Sequence, residues 1–169
     1  MTVTIFTIGH SRHTADDFLA LLRAHAIERL VDVRSQPRSK WAPHFDEAAL
    51  ARLLDDRGVD YVVLGRQLGG RPDGREFYRQ DGTVDYALRA TAPDFAEGIS
   101  QLVAIARGRR TAILCAEEDP SSCHRRLLVA PALMRSGAAV VHVRGDARLE
   151  PECDLPPVAT QLDLFGGGQ

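Results

Sequence analysis

Five short apolar runs, rich in β-branched residues, alternate with segments of helical periodicity along this 169-residue chain. The runs lie at residues 3–8, 30–33, 60–64, 111–114 and 138–143. Strands that alternate with helices predict an α/β fold with a largely parallel sheet. We therefore expect a single three-layer domain, in which helices cover both faces of a mostly parallel, roughly five-stranded sheet.

The limits of this domain follow from turn residues and composition. Thr14 is a helix N-cap candidate, and Gly58 is placed to end a second helix. The pattern of strands and helices ends near residue 150, so we assign residues 1–150 to the domain. Residues 151–169 begin with a proline-containing stretch, which indicates a linker followed by a C-terminal tail.

Composition narrows the classes of protein to which the chain can belong. A net charge of −2 gives no overall attraction to nucleic acid or membrane, so any basic surface must be local. No stretch approaches the roughly 20 apolar residues of a membrane span. Three cysteines, an odd number, argue against a secreted disulfide framework and favour a cytoplasmic location.

Polar side chains follow every predicted strand. They are His10, Asp32 with Arg34, Arg66, Cys115 with Glu117, and Arg144. Ligands of open α/β sheets bind beyond the carboxyl ends of the strands. We therefore expect the functional site at this edge of the sheet.

The turn from Cys115 to Arg126 is the densest group of reactive residues. His124, Arg125 and Arg126 fall in the predicted first turn of a helix, where cations oppose the helix dipole. An anion bound at that helix start would remove the conflict. We predict that Arg34, Arg66, Arg125 and Cys115 contact an anionic substrate. Arginine forks suit phosphate and carboxylate groups, and we place phosphate, nucleotide or nucleic acid ahead of simple acids.

Several residues near this turn are candidates for catalysis. Glu117 could act as a general acid or base, or form a salt bridge. Cys123 beside cations could be a nucleophile or redox centre, or a small buried hydrophobe. His124, His10 and Asp32 complete the candidate set, with the histidines as proton carriers. The spacing from Cys115 to Cys123-His124 matches no zinc pattern, so we predict no metal site and assign no cofactor.

Residues 35–45 form a loop that is basic and aromatic and contains no acid. We predict that Arg38, Lys40 and Trp41 contact nucleic acid, with Trp41 either stacking on a base or covering the core.

Four sequence blocks resemble a known family. They are Thr7-Ile-Gly-His-Ser11, Asp32-Val-Arg34, Leu114-Cys-Ala-Glu117 and Cys123-His-Arg125. In this order they are similar to the signature blocks of the bacterial family catalogued as domain of unknown function 488. The resemblance spans roughly residues 3–145. It implies an α/β domain with a site built from these blocks, and it implies no particular reaction.

The tail carries a second resemblance, at Gln161, Leu162, Asp163, Leu164 and Phe165. This segment resembles the pentapeptide with which bacterial repair and replication proteins bind the sliding clamp of DNA polymerase. Apolar anchors on a short polar tail can order in a partner's hydrophobic pocket. The alternative is that the segment packs on its own domain.

These features together predict a cytoplasmic bacterial enzyme of DNA or nucleotide maintenance, recruited to DNA through the sliding clamp. The reaction would be hydrolysis or group transfer on a phosphate- or nucleotide-containing substrate. One alternative is a non-catalytic nucleic-acid-binding adaptor that uses the same arginines. A second is a thiol redox protein that uses Cys115 and Cys123.

Overall fold

The computed structural model describes residues 2–158, which form one sheet flanked by helices. The described part of the sheet has six strands, in the spatial order β3-β2-β4-β1-β5-β6. Strands β1 to β5 pair in parallel, and β6 is antiparallel to β5. The strands are β1 (Thr4–Gly9), β2 (Arg29–Asp32), β3 (Asp60–Val63), β4 (Thr111–Cys115), β5 (Ala139–Val143) and β6 (Leu149–Pro151). The predicted α/β class is confirmed.

The α-helices lie between these strands. They are α1 (Ala15–Ala24), α2 (Glu47–Asp55), α3 (Gly65–Leu68), α4 (Tyr86–Arg89), α5 (Pro93–Ala106) and α6 (Ala130–Arg135). The Thr14 side chain accepts a hydrogen bond of 3.1 Å from the Asp17 amide and so caps α1 as predicted. Gly58 follows α2 with a φ of 68°, which is a left-handed conformation that favours glycine.

Each face of the sheet has its own hydrophobic core. Ile5 of β1 belongs to a core that includes Phe95 and Leu102 of α5. The next residue, Phe6, belongs to the opposite core, with Phe18 of α1. Because successive side chains of a strand point to opposite faces, this alternation places α1 and α2 on one side and α5 and α6 on the other.

The chain remains ordered beyond residue 150, where the sequence predicts a linker. Residue 150 lies within β6, and a 3-10 helix (Glu152–Asp154) follows. Glu152 is buried, and its carboxylate is bonded to Arg126 at 3.1 Å and to His142 at 2.6 Å. These contacts hold the end of the described chain against the sheet.

A π-helical turn (Arg125–Val129) precedes α6 and continues directly into it. Turns of this kind are rare and frequently lie at functional sites. Within residues 2–158, no helix combines the length and the apolar composition that a membrane span requires.

Candidate functional site

A cavity of about 430 Å³ opens at the carboxyl ends of three central strands. His10 follows β1, Arg34 follows β2, and Cys115 ends β4, and all three line the cavity. Most of the remaining lining comes from the loop at residues 35–39, from Gly70 and Arg71, and from the turn that contains Glu117 and Cys123. This is the edge at which the sequence places the functional site. The volume lies within the ordinary range of small-molecule sites.

The base of the cavity holds two thiols and an imidazole. The Sγ atoms of Cys115 and Cys123 lie 2.6 Å apart. The Nδ1 atom of His124 is 3.6 Å from Cys115 Sγ and 3.8 Å from Cys123 Sγ. All three side chains are buried. The end of a strand and the start of a helix therefore bring together residues that are eight positions apart.

The orientation of His124 is fixed by the backbone of a neighbouring strand. Its Nε2 atom lies 3.0 Å from the carbonyl oxygen of Val33. A carbonyl only accepts hydrogen bonds, so Nε2 carries the proton, and in the neutral ring the Nδ1 lone pair faces the thiols. Gly70 packs against the His124 side chain, because a Cβ at this position would lie 2.7 Å from His124 Cγ.

Glu117 connects the thiols to the open part of the cavity. The Cys115 thiol donates a hydrogen bond of 2.9 Å to Glu117 Oε2. Contact with Cys123, together with burial, raises the pKa of Cys115 well above its usual value, so this thiol is protonated at neutral pH. Burial alone would raise the pKa of Glu117, but hydrogen bonds from the thiols outweigh it, and the net shift is downward. The carboxylate is therefore ionised.

Arg34, which lines the cavity, forms a buried ion pair with Asp32. The Arg34 guanidinium donates to both carboxylate oxygens, with a shortest distance of 2.6 Å, and the Tyr61 hydroxyl donates to Asp32 Oδ2 at 2.6 Å. Burial opposes the charge, but the bonds to Asp32 raise the pKa of Arg34. Arg34 Nη1 is buried and has no hydrogen-bond partner among residues 2–158. One nitrogen of this fixed cation is therefore buried without a partner in the described part of the chain.

Two exposed arginines, Arg38 and Arg71, add to the positive charge of the lining. The Arg71 amide donates a hydrogen bond of 2.8 Å to Ser35 Oγ, which ties the two loops at the cavity mouth together. Together with Arg34 they make three guanidinium groups, and Glu117 is the one carboxylate among the described lining residues. The cavity is thus a net cationic environment.

Residues 14–131 match the family described as Domain of unknown function DUF488, a match that spans more than half of the chain. The chain belongs to this family. No curated protein and no solved structure matches the chain. The matched region includes the thiols, His124, Glu117 and the Arg34–Asp32 pair, and it begins after His10.

Several residues predicted for the site lie away from the cavity of this DUF488 chain. Arg125 is fully buried and donates to Thr7 Oγ1 at 3.2 Å and to the Glu118 carbonyl oxygen. Burial lowers the pKa of Arg125. Arg66 is exposed on α3 and is not part of the lining. Asp32 contacts Arg34 and Tyr61 and does not line the cavity.

The basic loop contributes only partly to the cavity. Arg38 is in the lining, whereas Lys40 and Trp41 lie outside it. Trp41 is 84% exposed, so the interpretation that it covers the core is wrong. The Lys40 ammonium stands 5.6 Å from the centre of the Trp41 ring.

His10 is placed at the cavity by a hydrogen bond and a stacking contact. Its Nδ1 atom lies 2.9 Å from the carbonyl oxygen of Ser11, and its ring stacks on Phe45 at 4.6 Å. Burial lowers the pKa of His10, which therefore favours the neutral ring.

Sequence reasoning missed Tyr86 and Gly70. Tyr86 lines the cavity from α4, and burial, assisted by nearby negative charge, raises its pKa to about 12. The adjacent Gly69 and Gly70 are a signal for close backbone approach that could have been used. The predicted clamp-binding segment, residues 161–165, lies outside the described residues.

Proposed function

We propose that this DUF488 chain is an enzyme that binds a phosphate-bearing anion in the cavity and hydrolyses it or transfers a group from it. The substrate would be a nucleotide or a nucleotide unit of nucleic acid. The observation that carries the proposal concerns Arg34, whose side chain lines the cavity and whose buried Nη1 atom has no partner among the residues that the structure describes.

A buried donor without a partner is costly, and a charged one is more so. Asp32 holds Arg34 in place with bonds to the other two guanidinium nitrogens, so the cation is preorganised. Guanidinium groups match phosphate oxygens in geometry and charge. An anion oxygen at Arg34 Nη1 would satisfy the orphan donor, and Arg38 and Arg71 would neutralise further charge.

Glu117 is the acid/base group that the geometry supports best. It is the one carboxylate among the described lining residues, and it accepts a hydrogen bond from the buried Cys115 thiol. A carboxylate positioned beside a bound anion can accept a proton from an attacking water or hydroxyl group. His10, which lines the same cavity, is the second proton carrier in this arrangement.

Binding of inorganic phosphate and of a nucleoside monophosphate to the full chain tests the proposal by isothermal titration calorimetry. The variant Arg71→Ala should weaken phosphate binding by about 10- to 100-fold, because a hydrogen bond to a charged group contributes about 1.5–3 kcal/mol. Arg66→Ala is the matched control, since Arg66 is an exposed arginine outside the cavity lining. Equal affinities of the two variants, or no binding by the unaltered chain, would contradict the proposal.

A nucleic-acid substrate is favoured over a free nucleotide by the exposed Trp41. An indole that is 84% exposed next to Lys40 is available to stack on a base, and Arg38 links the same loop to the cavity. Tighter binding of a single-stranded oligonucleotide than of a mononucleotide, lost in Trp41→Ala, is the corresponding result. Oligonucleotide binding without any hydrolysis or group transfer would instead favour the alternative of a non-catalytic nucleic-acid-binding adaptor.

Recruitment through the sliding clamp is the remaining part of the proposal. It rests on the sequence of residues 161–165 alone, with Leu162, Leu164 and Phe165 as apolar anchors. Direct binding of the full chain to an isolated bacterial sliding clamp is the test of this part.

A further inference from the structure

The cluster at the base of the cavity has the composition of a metal site. We propose that Cys115, Cys123 and His124 bind one zinc-type transition-metal ion, with an open coordination position toward the cavity. The candidate ligand atoms, two Sγ atoms and one Nδ1, all lie within 4.8 Å of one another. This inference rests on the proposed function, for which it supplies the reactive centre.

The distances support a tetrahedral ion held by these atoms. With metal–sulfur bonds of about 2.3 Å and metal–nitrogen bonds of about 2.0–2.1 Å, the sulfur and nitrogen ligands of one ion lie about 3.5 Å apart. The observed distances from His124 Nδ1 are 3.6 Å to Cys115 Sγ and 3.8 Å to Cys123 Sγ. The two sulfurs, at 2.6 Å, must separate by about 1 Å to reach tetrahedral spacing.

The surroundings of His124 are those of a metal ligand. Its Nε2–H is bonded to the Val33 carbonyl at 3.0 Å, which leaves Nδ1 free for the ion. Ligating histidines almost always donate their second ring N–H to a carbonyl, carboxylate or water in this way. Gly70 packs against the same ring, so its position is further restricted.

Thiolate and imidazole ligands favour zinc, copper(I) or iron over magnesium and calcium. Three protein ligands and one open position are typical of catalytic zinc sites, whereas structural sites are closed by a fourth ligand. Glu117 is not among the three mutually close ligands, but its Oε2 atom is 2.9 Å from Cys115 Sγ. We therefore place Glu117 beside the open position, where it would orient a metal-bound water.

Sequence spacing alone predicts no such site, because seven residues separate the two cysteines. The fold nevertheless brings the two cysteines together. β4 ends at Cys115, and the helical turn that leads into α6 begins just after Cys123. The strand end and the start of the helical turn thus bring the two Sγ atoms together, and both side chains are buried.

Cobalt(II) is the probe for this proposal. The full chain, prepared with reductant and without metal, should bind one Co²⁺, with a thiolate-to-cobalt charge-transfer band in the near ultraviolet and intense visible bands of tetrahedral cobalt. Zn²⁺ should displace the cobalt and abolish these bands. The variants Cys115→Ser and Cys123→Ser should each weaken or remove the charge-transfer band, and His124→Ala should lower affinity by more than about 100-fold.

Cys153→Ser is the matched control, because Cys153 is exposed and lies outside the cluster. It should bind cobalt as the unaltered chain does. Circular dichroism of each variant separates loss of the ligand from loss of the fold.

Two results would overturn the inference. One is a reduced chain that binds no cobalt or binds it equally well without Cys115 and Cys123. The other is a Cys115–Cys123 disulfide that persists in the presence of reductant, which would instead support the thiol redox alternative. Phosphate calorimetry separates the two proposals, since phosphate binding without metal binding refutes only the metal site. Metal binding without phosphate binding refutes the proposed substrate class.

Discussion

Arg34 shows how a single buried residue sets the electrostatics of the cavity. Its ion pair with Asp32 is almost completely excluded from solvent, at 5% and 0% side-chain exposure. Buried pairs of this kind cost desolvation energy and contribute little net stability unless other bonds satisfy them. The Tyr61 hydroxyl donates a further hydrogen bond to Asp32, while Arg34 Nη1 finds no partner within residues 2–158. The pair therefore fixes the position of a buried cation that keeps one free donor within the described chain.

Gly9 lies in close contact with the backbone of Glu117. A Cβ on Gly9 would lie 1.7 Å from the carbonyl oxygen of Glu117, so the turn that carries Glu117 would have to move. We expect Gly9→Ala to lower the free energy of unfolding by about 1–3 kcal/mol, as overpacking does. Phosphate binding should weaken as well. Denaturant unfolding and calorimetry on the same preparation measure both effects.

Gly58→Ala is the control for this change. Gly58 has open space around it, and its positive φ alone makes alanine unfavourable. This variant should lose stability and keep its phosphate affinity. An unchanged phosphate affinity in Gly9→Ala would show that the position of the Glu117 turn is unimportant for binding.

At the scale of elements, the helix that starts at residue 124 carries three basic residues in its first turn. The sequence predicts that its three cations need an external anion. In the structure each finds a partner within the chain: His124 at Val33, Arg125 at Thr7 and Glu118, and Arg126 at Glu152. Internal hydrogen bonds and one ion pair therefore stabilise these basic side chains at the helix start, where the helix dipole disfavours positive charge.

One of these contacts connects the helix to the end of the described chain. Glu152 follows β6 and joins Arg126 to His142 of β5, and His142 Nδ1 lies 2.7 Å from Thr7 Oγ1 of β1. Four elements therefore meet in a buried polar network. Networks of this kind rigidify a structure where their members are satisfied. Arg125, which also contacts Thr7, keeps one buried nitrogen without a partner among residues 2–158.

His142 makes the stability of this network dependent on pH. Burial lowers its pKa below the usual 6.5; the charges of Arg125 and Arg126 act in the same direction, and the bond to Glu152 opposes them. Because the folded protein resists protonation of this ring, its contribution is complete above about pH 6.5 and is lost as pH falls below that value. Unfolding measured across this range should show a decline that is reduced in His142→Gln.

His10 is shifted in the same direction by burial, so His10→Gln is the companion variant. Ring signals in NMR identify the residue directly. A His142 ring that titrates at or above 6.5 would contradict the assignment.

At the scale of the whole molecule, the sequence predicts the class of fold and the edge of the sheet that bears the cavity. The spacing of apolar residues distinguishes strands from helices, and this spacing can be recognised within each short segment of the sequence. The strand order cannot be read from short segments of the sequence. It depends on packing between distant residues, which places β4 between β2 and β1. β6 was missed because it is a three-residue edge strand that ends in proline.

The same distinction applies to the site. Residue type and position at strand ends identified His10, Arg34, Cys115 and Glu117, all of which line the cavity. The sequence could not show which arginines would bond internally, since Arg125 and Arg34 look equivalent until the fold is known. Nor could it show that the two thiols and His124 Nδ1 converge.

A phosphate-bearing anion is proposed to bind at the carboxyl ends of β1, β2 and β4. Titration of the isotopically labelled full chain with inorganic phosphate, followed by backbone amide NMR, tests it most directly. We predict saturable shifts for amides around Ser35, Gly70, Arg71 and Glu117, with none around Arg66. The absence of saturable shifts, or their concentration away from this cavity, would contradict the account.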